Sequence, residues 1–384
     1  DGGQTWKSTL LPGFPQDVSA DGLASPLKPR QAATDPVVRA GTNGLFYYAG
    51  LAFDRGDDKP SAVFMARFMD LNNTETGDPF GYVGTGIVDA DSGARFLDKP
   101  AVATDVPRSG ASCTITSVQT DPVTKVRTTH VQTIPAGNVY VAYSAFTGHD
   151  ATEQSVILFS RSTNCGQTWS APKALSTGSR LVQNAQIAVS PTDGAVYVSW
   201  RRFKYLTQDD AIMVVKSVDG GATFGKVLRV SGVRPFDQIT TATRFRSNGF
   251  QTMAIDGTGR VYLAWPDRGY APLRPDPVTG DSRIVLSTST TGATWTVPRA
   301  IQPTGIGHQL MPALTFHGGK LRLLYYDLRG DVSGLFSDFI DEQPILDGAP
   351  PRVRHTLDAF VAQALPGSAP VFTTARVSDY ARGF

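Results

Sequence analysis

The chain has 384 residues, and its 36 Lys and Arg nearly balance its 34 Asp and Glu, so the formal net charge is +2. This balance argues against a protein whose main task is to bind phosphate backbones or anionic membranes, and nucleic acid is not an expected partner. Hydrophobic residues make up 41% of the chain, which excludes wholesale disorder, and no apolar run is long enough to span a bilayer.

The chain start, residues 1–6, has no Met and no charged-then-apolar leader. We therefore expect either a processed product or a piece of a longer chain. The 38 Gly and 26 Pro are spread between short apolar runs, which predicts many turns and many short strands.

A strand motif recurs along the chain: a Gly, an apolar run with a central Tyr, and a final aromatic residue. In the four later copies the aromatic residue falls at positions 143, 200, 265 and 325, a period of about 60 residues. An apolar strand precedes the motif in each period, and two further strands follow it. Four strands per period without helical periodicity predict the blades of a propeller, stacked around an axis. The copies lie at 44–50, 137–143, 194–200, 259–265 and 319–325.

A second motif occupies the turn after the third strand of most periods. It joins a carboxylate or amide side chain, a Gly and an aromatic residue within eight positions. The polar side chain can accept backbone N–H bonds, Gly can adopt positive φ, and the aromatic ring can pack under the hairpin. We therefore assign these residues a structural role: Asp1, Asp91, Asn164 and Asp219, with the aromatic residues Trp6, Trp169, Phe224 and Trp295.

The second motif reads Ser-x-Asp-x-Gly-x-Thr-Trp, which is the Asp box. With its boxes and strand motifs, nearly the whole chain resembles the sialidase-like Asp-box (BNR repeat) propellers. The resemblance implies an all-β propeller of four-stranded antiparallel blades. It implies less about activity, because Asp boxes stabilise turns in propellers of several functions.

Five blades with all their strands can be placed on the sequence, and residues 1–10 supply the outer strand of a closing blade. We predict a single six-bladed propeller domain in which sequence outside residues 1–384 provides the other three strands of the closing blade. A five-blade ring is the alternative. In the last blade, the third strand is expected at 358–362 and the fourth near 373–377. The blades lie near 32–97, 98–175, 180–231, 245–300 and 308–380.

The loops after the second strands carry charged and Tyr side chains, on the face opposite the Asp boxes. Such loops can converge on an axial mouth, where Arg suits a ligand carboxylate. The alternative is that these Asp and Arg residues pair with one another between blades. The connections into the first strands add Asp98 and Lys99 to this face. Candidate catalytic residues are Asp54, Asp267, Asp327 and Tyr326, and candidate substrate-binding residues are Arg55, Arg201, Arg202, Arg246, Arg268 and Arg329.

Sialidase activity, if the resemblance extends to it, implies three arginines for the substrate carboxylate, a Tyr nucleophile with a partner Glu, and an Asp as acid and base. The early Arg-Ile-Pro motif of the family is absent, since Arg39 lies on a first strand without a following Ile-Pro. The few glutamates, Glu75, Glu153 and Glu342, do not closely follow a second strand. These departures favour a non-catalytic protein.

The two cysteines, Cys113 and Cys165, both fall in the second blade on its Asp-box side. This placement predicts a disulfide and an oxidising compartment, and two unrelated buried thiols are the alternative. The five histidines show no metal-ligand spacing, so no metal site is predicted. No cofactor is expected either: the acidic turn at 276–281 has oxygen ligands of the kind that Ca²⁺ binds, but a plain polar turn is the expected interpretation.

Two functions follow from these patterns. The first is a secreted, extracellular or periplasmic protein directed at a glycan or glycoconjugate, either a sialidase-like exo-glycoside hydrolase or a lectin-like binder. The alternative is a non-catalytic extracellular scaffold or adhesion propeller that binds protein partners, or itself, through a rim.

Overall fold

The computed structural model describes residues 8–71, 80–121, 123–237, 247–273, 275–277, 280–303, 305–330 and 357–379. The all-β class is confirmed, because helix in this part of the chain is limited to α1 (Ala20–Ala24) and a 3-10 turn (Asp150–Thr152). The chain divides into two compact units. The first is Asp1–Val189 with Ser217–Phe224, and the second is Ser190–Lys216 with Gly225–Phe384.

The first unit contains a six-stranded and a four-stranded antiparallel sheet, in the orders β1-β2-β3-β4-β6-β7 and β10-β9-β8-β5. The central strands β2 and β8 are the Gly-Tyr-aromatic motifs, and they are almost wholly buried because both of their faces are covered. The strands are β1 (Ala32–Ala40), β2 (Leu45–Phe53), β3 (Ser61–Asp70), β4 (Phe80–Asp91), β5 (Phe96–Thr104), β6 (Ser112–Thr120), β7 (Arg127–Pro135), β8 (Val139–Thr147), β9 (Gln154–Ser162), β10 (Lys173–Ala174) and β11 (Val182–Val189).

The second unit contains two four-stranded antiparallel sheets, β15-β16-β17-β18 and β19-β20-β21-β22, and the neighbouring strands β12, β13 and β14. Strands β21 and β22 lie where the sequence predicts the third and fourth strands of the last blade. The strands are β12 (Val196–Arg202), β13 (Ala211–Ser217), β14 (Leu228–Gly232), β15 (Thr252–Ile255), β16 (Val261–Asp267), β17 (Arg283–Ser289), β18 (Arg299–Ala300), β19 (Gln309–His317), β20 (Lys320–Asp327), β21 (Asp358–Ala364) and β22 (Thr373–Arg376).

Four-stranded antiparallel sheets are what the blade interpretation predicts. The six-bladed ring, its closing strand at residues 1–10 and the five-blade alternative stay predictions.

The hairpin β6–β7 falls within the second predicted blade along the chain, yet it belongs to the six-stranded sheet of β1–β4. It joins the sheet of β1–β4 through the pair Tyr82–Val118. The predicted disulfide between Cys113 and Cys165 is confirmed, with the two Cα atoms 6.3 Å apart. It fastens the base of the hairpin to the turn that follows β9.

The turn after β9 shows the hydrogen bonds of an Asp box. The side-chain oxygen of Asn164 accepts the backbone N–H of Thr168 at 3.0 Å and the Ser162 hydroxyl at 2.9 Å. The Ser162 hydroxyl oxygen in turn accepts the N–H of Gly166, which has φ of 72°. Trp169 packs partly buried against the core of the first unit. The amide side chain is therefore committed to the turn.

Asp219 makes the same bonds in the turn after β13. Its carboxylate accepts both the backbone N–H and the hydroxyl of Thr223, at 2.8 and 2.6 Å. These bonds hold the pKa of Asp219 well below its usual range. The ring of Phe224 meets Phe159 edge-on at 4.8 Å, so the turn is also packed on its apolar side.

The two remaining described turns are variants of the same pattern. Asp91 accepts the N–H groups of Gly93 and Arg95 at 2.9 and 2.8 Å. In the turn after β17 no carboxylate is present, and the indole N–H of Trp295 donates to the carbonyl of Gly292 at 3.1 Å. Asp1 and Trp6, assigned to the first box, lie outside the described residues.

Candidate functional site

Asp54 and Arg55 follow β2 in the first unit. The Asp54 carboxylate accepts the N–H of Gln31 at 3.1 Å and pairs with Arg30 at 3.2 Å. The N–H of Arg55 donates to the Gln31 side chain at 3.1 Å, and Arg55 itself is exposed. Asp54 therefore anchors the segment that enters β1, and of the two residues Arg55 is the one open to solvent.

Arg201 lies near the end of β12, and its side chain is 1% exposed. Its guanidinium donates two hydrogen bonds to each of two carboxylates, Asp210 at 2.8 and 2.5 Å and Asp237 at 2.9 and 2.6 Å. Burial lowers the pKa of Arg201, and the bonds to both carboxylates outweigh this and raise it. The guanidinium of Arg201 is thus paired with carboxylates of the second unit and is not available to a ligand.

Arg202, the next residue, differs from Arg201 in its partners and its exposure. Its guanidinium donates only to the backbone carbonyl of Asp209, at 3.1 and 3.2 Å, and the residue is half-exposed. The alternation of a strand explains the difference, because successive side chains leave opposite faces.

Asp267 is the last residue of β16 and is 1% exposed. Its carboxyl accepts the backbone N–H of Arg234 at 2.8 Å and the indole N–H of Trp265 at 3.1 Å. Burial raises the pKa of Asp267 to about 6, and the two hydrogen bonds only partly oppose this. The half-exposed guanidinium of Arg234 lies 5.6 Å from the centre of the Tyr270 ring.

Arg268 follows Asp267, and its guanidinium lies 5.0 Å from the centre of the Phe236 ring. This cation–π contact places Arg268 against the side of the second unit that carries Arg234 and Tyr270. The loop after β16 therefore brings Arg, Asp and Tyr side chains together, and the Asp267 carboxyl among them is buried.

Asp327 occupies the matching position at the end of β20. Its carboxylate accepts the Gln309 amide at 3.0 Å and pairs with Arg329 at 2.5 Å. Arg329 also donates to Gln302 at 2.6 Å and lies 4.0 Å from the centre of the Phe360 ring. Asp327 and Arg329 are therefore an internal pair. Tyr326, which precedes Asp327 on β20, is 40% exposed, and Arg246 lies outside the described residues.

The buried carboxyl of Asp267 predicts a pH dependence of stability. Its pKa is higher in the folded chain than in the unfolded one, so the folded state binds the proton more tightly. The stability that this group contributes is therefore present below about pH 4 and is lost as the pH rises to about 6. The measurement compares unfolding free energies of the wild type and Asp267→Asn from pH 4 to pH 7. We expect the difference to change over this window and to level off above it.

A matched control for this series is Asp209→Asn, because the Asp209 side chain is exposed. Its difference from the wild type should stay constant across the same pH range. A flat difference for Asp267→Asn as well would show that the carboxyl group is not perturbed.

A separate group of polar residues lies at backbone irregularities on β1, β5 and β11. Asp35, Lys99 and Asn184 have φ of 54°, 49° and 62°, which is the left-handed region that non-Gly residues seldom adopt. On β1 and β5 the strand register shifts at these points, as in a β-bulge. Bulges redirect neighbouring side chains and are enriched beside active sites.

These irregularities bring three side chains together in the first unit, and we name Asp35, Asp98 and Gln183 the Asp98 cluster. The Asp98 carboxyl accepts the Gln183 amide at 2.6 Å and lies close enough to Asp35 to feel its charge. Burial raises the pKa of Asp98 and the charge of Asp35 raises it further, while the hydrogen bond from Gln183 and the charge of Lys99 oppose the change.

The Asp98 cluster differs from Asp267 and Asp327 in being half-buried rather than sealed. The sequence predicts Asp98 on the ligand face, but Asp98 is not among the predicted site residues. A sequence signal for these bulges is a residue followed by Pro within the first strand of a predicted blade. It occurs at Asp35-Pro36 in β1, Lys99-Pro100 in β5 and Met311-Pro312 in β19. Met311 of β19 also has positive φ and a register shift beside it.

Within the described ranges, no group of three or more His, Cys, Asp and Glu side chains is arranged to hold a metal ion. The same ranges contain no helix with the length and hydrophobicity needed to cross a bilayer. The absence of a cofactor stays a prediction.

No family model matches the chain, and no curated protein matches it. Solved structures similar to it include the Hadza microbial sialidase Hz136, at 13% identity over 93% of this chain and 67% of that one, with a TM-score of 0.46. The NanB sialidase from Streptococcus pneumoniae matches at 10% identity over 92% and 62%, with a TM-score of 0.45. The GH93 alpha-L-arabinofuranosidase of Fusarium graminearum matches at 11% identity over 90% and 92%, with a TM-score of 0.46.

The chain thus spans about two thirds or less of the length of these two sialidases and most of the arabinofuranosidase.

Proposed function

We propose that the chain is a secreted Asp-box propeller that binds glycans, with the Asp98 cluster in its ligand site. The Asp-box turns and the four-stranded antiparallel sheets support the propeller. The disulfide between Cys113 and Cys165 supports an oxidising compartment, either extracellular or periplasmic. Ring closure and blade number are part of the proposal.

The observation that carries the site is the half-buried Asp98 carboxyl, which accepts the Gln183 amide and lies beside the charge of Asp35, on three neighbouring strands. Sugar hydroxyls are recognised by such groups, because each hydroxyl both donates and accepts hydrogen bonds. Strand β5 packs against both β1 and β11 in the first unit. The three side chains are therefore held in place by strands rather than carried on a free loop.

The same arrangement gives Asp98 a chemical role if the bound glycan is hydrolysed. Hydrolysis of a glycosidic bond needs a carboxylic acid that protonates the leaving oxygen, and its pKa must be raised to hold the proton. Asp98 meets this requirement, because burial and Asp35 both favour its protonated form. Asp35 acts as a positioning residue that keeps the proton on Asp98.

The test of the proposal is a glycan array followed by a hydrolysis screen of the glycans that bind. Binding with turnover supports the hydrolase, and binding without turnover supports a lectin-like protein. The folded chain binding no glycan at all would overturn the proposal.

If turnover is found, Asp98→Asn should reduce kcat by about 100-fold or more, which is the contribution typical of general acid catalysis. Binding of the same glycan should change little, because Asn can still accept a hydrogen bond from Gln183. Asp209→Asn removes an exposed carboxylate of the second unit and should leave both properties unchanged. Equal turnover in the wild type and Asp98→Asn would remove Asp98 from the mechanism.

A non-catalytic scaffold is the second candidate function. The observation that favours it is that Arg201 and Arg329 are both ion-paired with carboxylates of the second unit, Asp210 and Asp327. A scaffold of this kind would bind protein partners, and it would show neither glycan binding nor turnover.

A further inference from the structure

Strand β7 (Arg127–Pro135) is the last strand of the six-stranded sheet. Its nine residues pair one to one with β6, from Arg127 opposite Thr120 to Pro135 opposite Ser112, without a register shift. In the described part of the chain, no strand pairs with its other edge. β7 is therefore an open edge strand of full length.

The hydrogen bonds at both ends of the hairpin show which backbone groups face this open edge. The N–H of Asp121 donates to Val126, and the N–H of Ala136 donates to Ala111, both at 2.9 Å. In an antiparallel ladder, bonded and non-bonded pairs alternate. The even-numbered residues of β7 therefore bond to β6.

The N–H and C=O groups of Thr129, Val131 and Thr133 point away from β6 as a result. The carbonyl of Pro135 fits this pattern, since it accepts the Thr42 hydroxyl at 2.8 Å rather than a group of β6. Three successive outward positions thus carry backbone donors and acceptors that the hairpin does not use.

The side chains of this edge lack the features that usually block strand addition. Natural edge strands are protected by charges, an interior Pro or a bulge. Between Arg127 and Pro135 the strand has no Lys, Arg, Asp, Glu or Pro. Thr and Val favour extended structure, Thr129 and Thr133 are exposed, and Val131 is 65% exposed.

We propose that β7 pairs with β7 of a second copy of this chain, antiparallel about Val131. In that register the strand is complementary to itself, which favours a second copy of the chain as the partner. Thr129 meets Thr133 of the other copy and His130 meets Gln132, so no like charges face each other. Arg127 falls opposite Pro135 and is already paired with Asp21 of its own chain at 3.0 Å.

This pairing makes an isologous interface, in which the same residues of both copies contact one another across a two-fold axis. The two edges close on each other, so the assembly stops at a dimer. The sheet then continues from one copy into the next, and the solvent-facing side chains at 129, 131 and 133 lie on one surface.

The experiment measures the molar mass of the whole chain by analytical ultracentrifugation over a range of concentrations. We expect a monomer–dimer equilibrium for the wild type. Val131→Lys places two like charges at the two-fold axis and should raise the dimer dissociation constant about tenfold or more. Val123→Lys adds the same charge on an 85% exposed residue off the edge and should dimerise as the wild type does.

Val131→Pro provides a second test, since it removes an outward N–H that the hairpin does not use. It should shift the equilibrium towards monomer while the circular dichroism spectrum is retained. Val131→Cys tests the register, because paired residues at a bonded position lie about 5.5 Å apart, within the range of a disulfide. We expect an intermolecular disulfide from Val131→Cys and none from Val123→Cys. A wild type that is monomeric throughout, or a Val131→Lys variant that dimerises normally, overturns the proposal.

Discussion

Replacing Arg201 with Leu is expected to lower the free energy of unfolding by about 3–5 kcal/mol. The substitution leaves Asp210 and Asp237 facing each other without the guanidinium that both of them bond. Burial already raises the pKa of Asp210, so losing the cation strongly disfavours its ionised form. The measurement compares the urea unfolding midpoints of Arg201→Leu and the wild type. An equal slope of the two transitions shows that both unfold in the same two-state manner.

Arg202→Leu is the matched control for this substitution, because it removes the same group from the next residue. Arg202 donates only to a backbone carbonyl and is half-exposed, so a change within about 0.5 kcal/mol is expected. Similar losses for both variants would mean that the charge network around Arg201 does not stabilise the second unit.

Reducing the bond between Cys113 and Cys165 is expected to lower the free energy of unfolding by about 4 kcal/mol in the chain-entropy description. The bond closes a loop with a sequence separation of 52 residues, which restricts the unfolded chain. It also fixes the β6–β7 hairpin to the turn after β9. The measurement compares denaturant midpoints with and without a thiol reductant.

A variant with both Cys113→Ser and Cys165→Ser serves as the control for the reductant itself. Its midpoint should match that of the reduced wild type and should not respond to the thiol. An oxidised wild type that unfolds at the same denaturant concentration as this variant would contradict the prediction.

The repeating features of the fold can be predicted from the sequence because they depend on local patterns. The run around Tyr262 is apolar throughout and becomes the buried central strand β16. The turn at Asp219 combines the side chains and glycines that its own hydrogen bonds need. Likewise, Cys113 and Cys165 fall in one predicted blade, and the bond between them forms.

The contacts that define the candidate site are not readable in this way. Asp98 meets Gln183 although 85 positions separate them, and Arg201 meets Asp237 across 36 positions. Neither distance is encoded by a strand period or a turn motif, since both depend on how separate strands pack. The place of the β6–β7 hairpin is unpredicted for the same reason, because its partner strand β4 lies in the first predicted blade whereas the hairpin lies in the second.

The disulfide has a consequence for how the chain responds to proteolysis. The tip of the β6–β7 hairpin carries Val123, which is 85% exposed, and it lies within the covalent loop closed by Cys113 and Cys165. A single cut at the tip therefore yields two polypeptides that remain linked through sulfur. Such a nicked protein migrates as one species on a gel until a reductant separates its fragments.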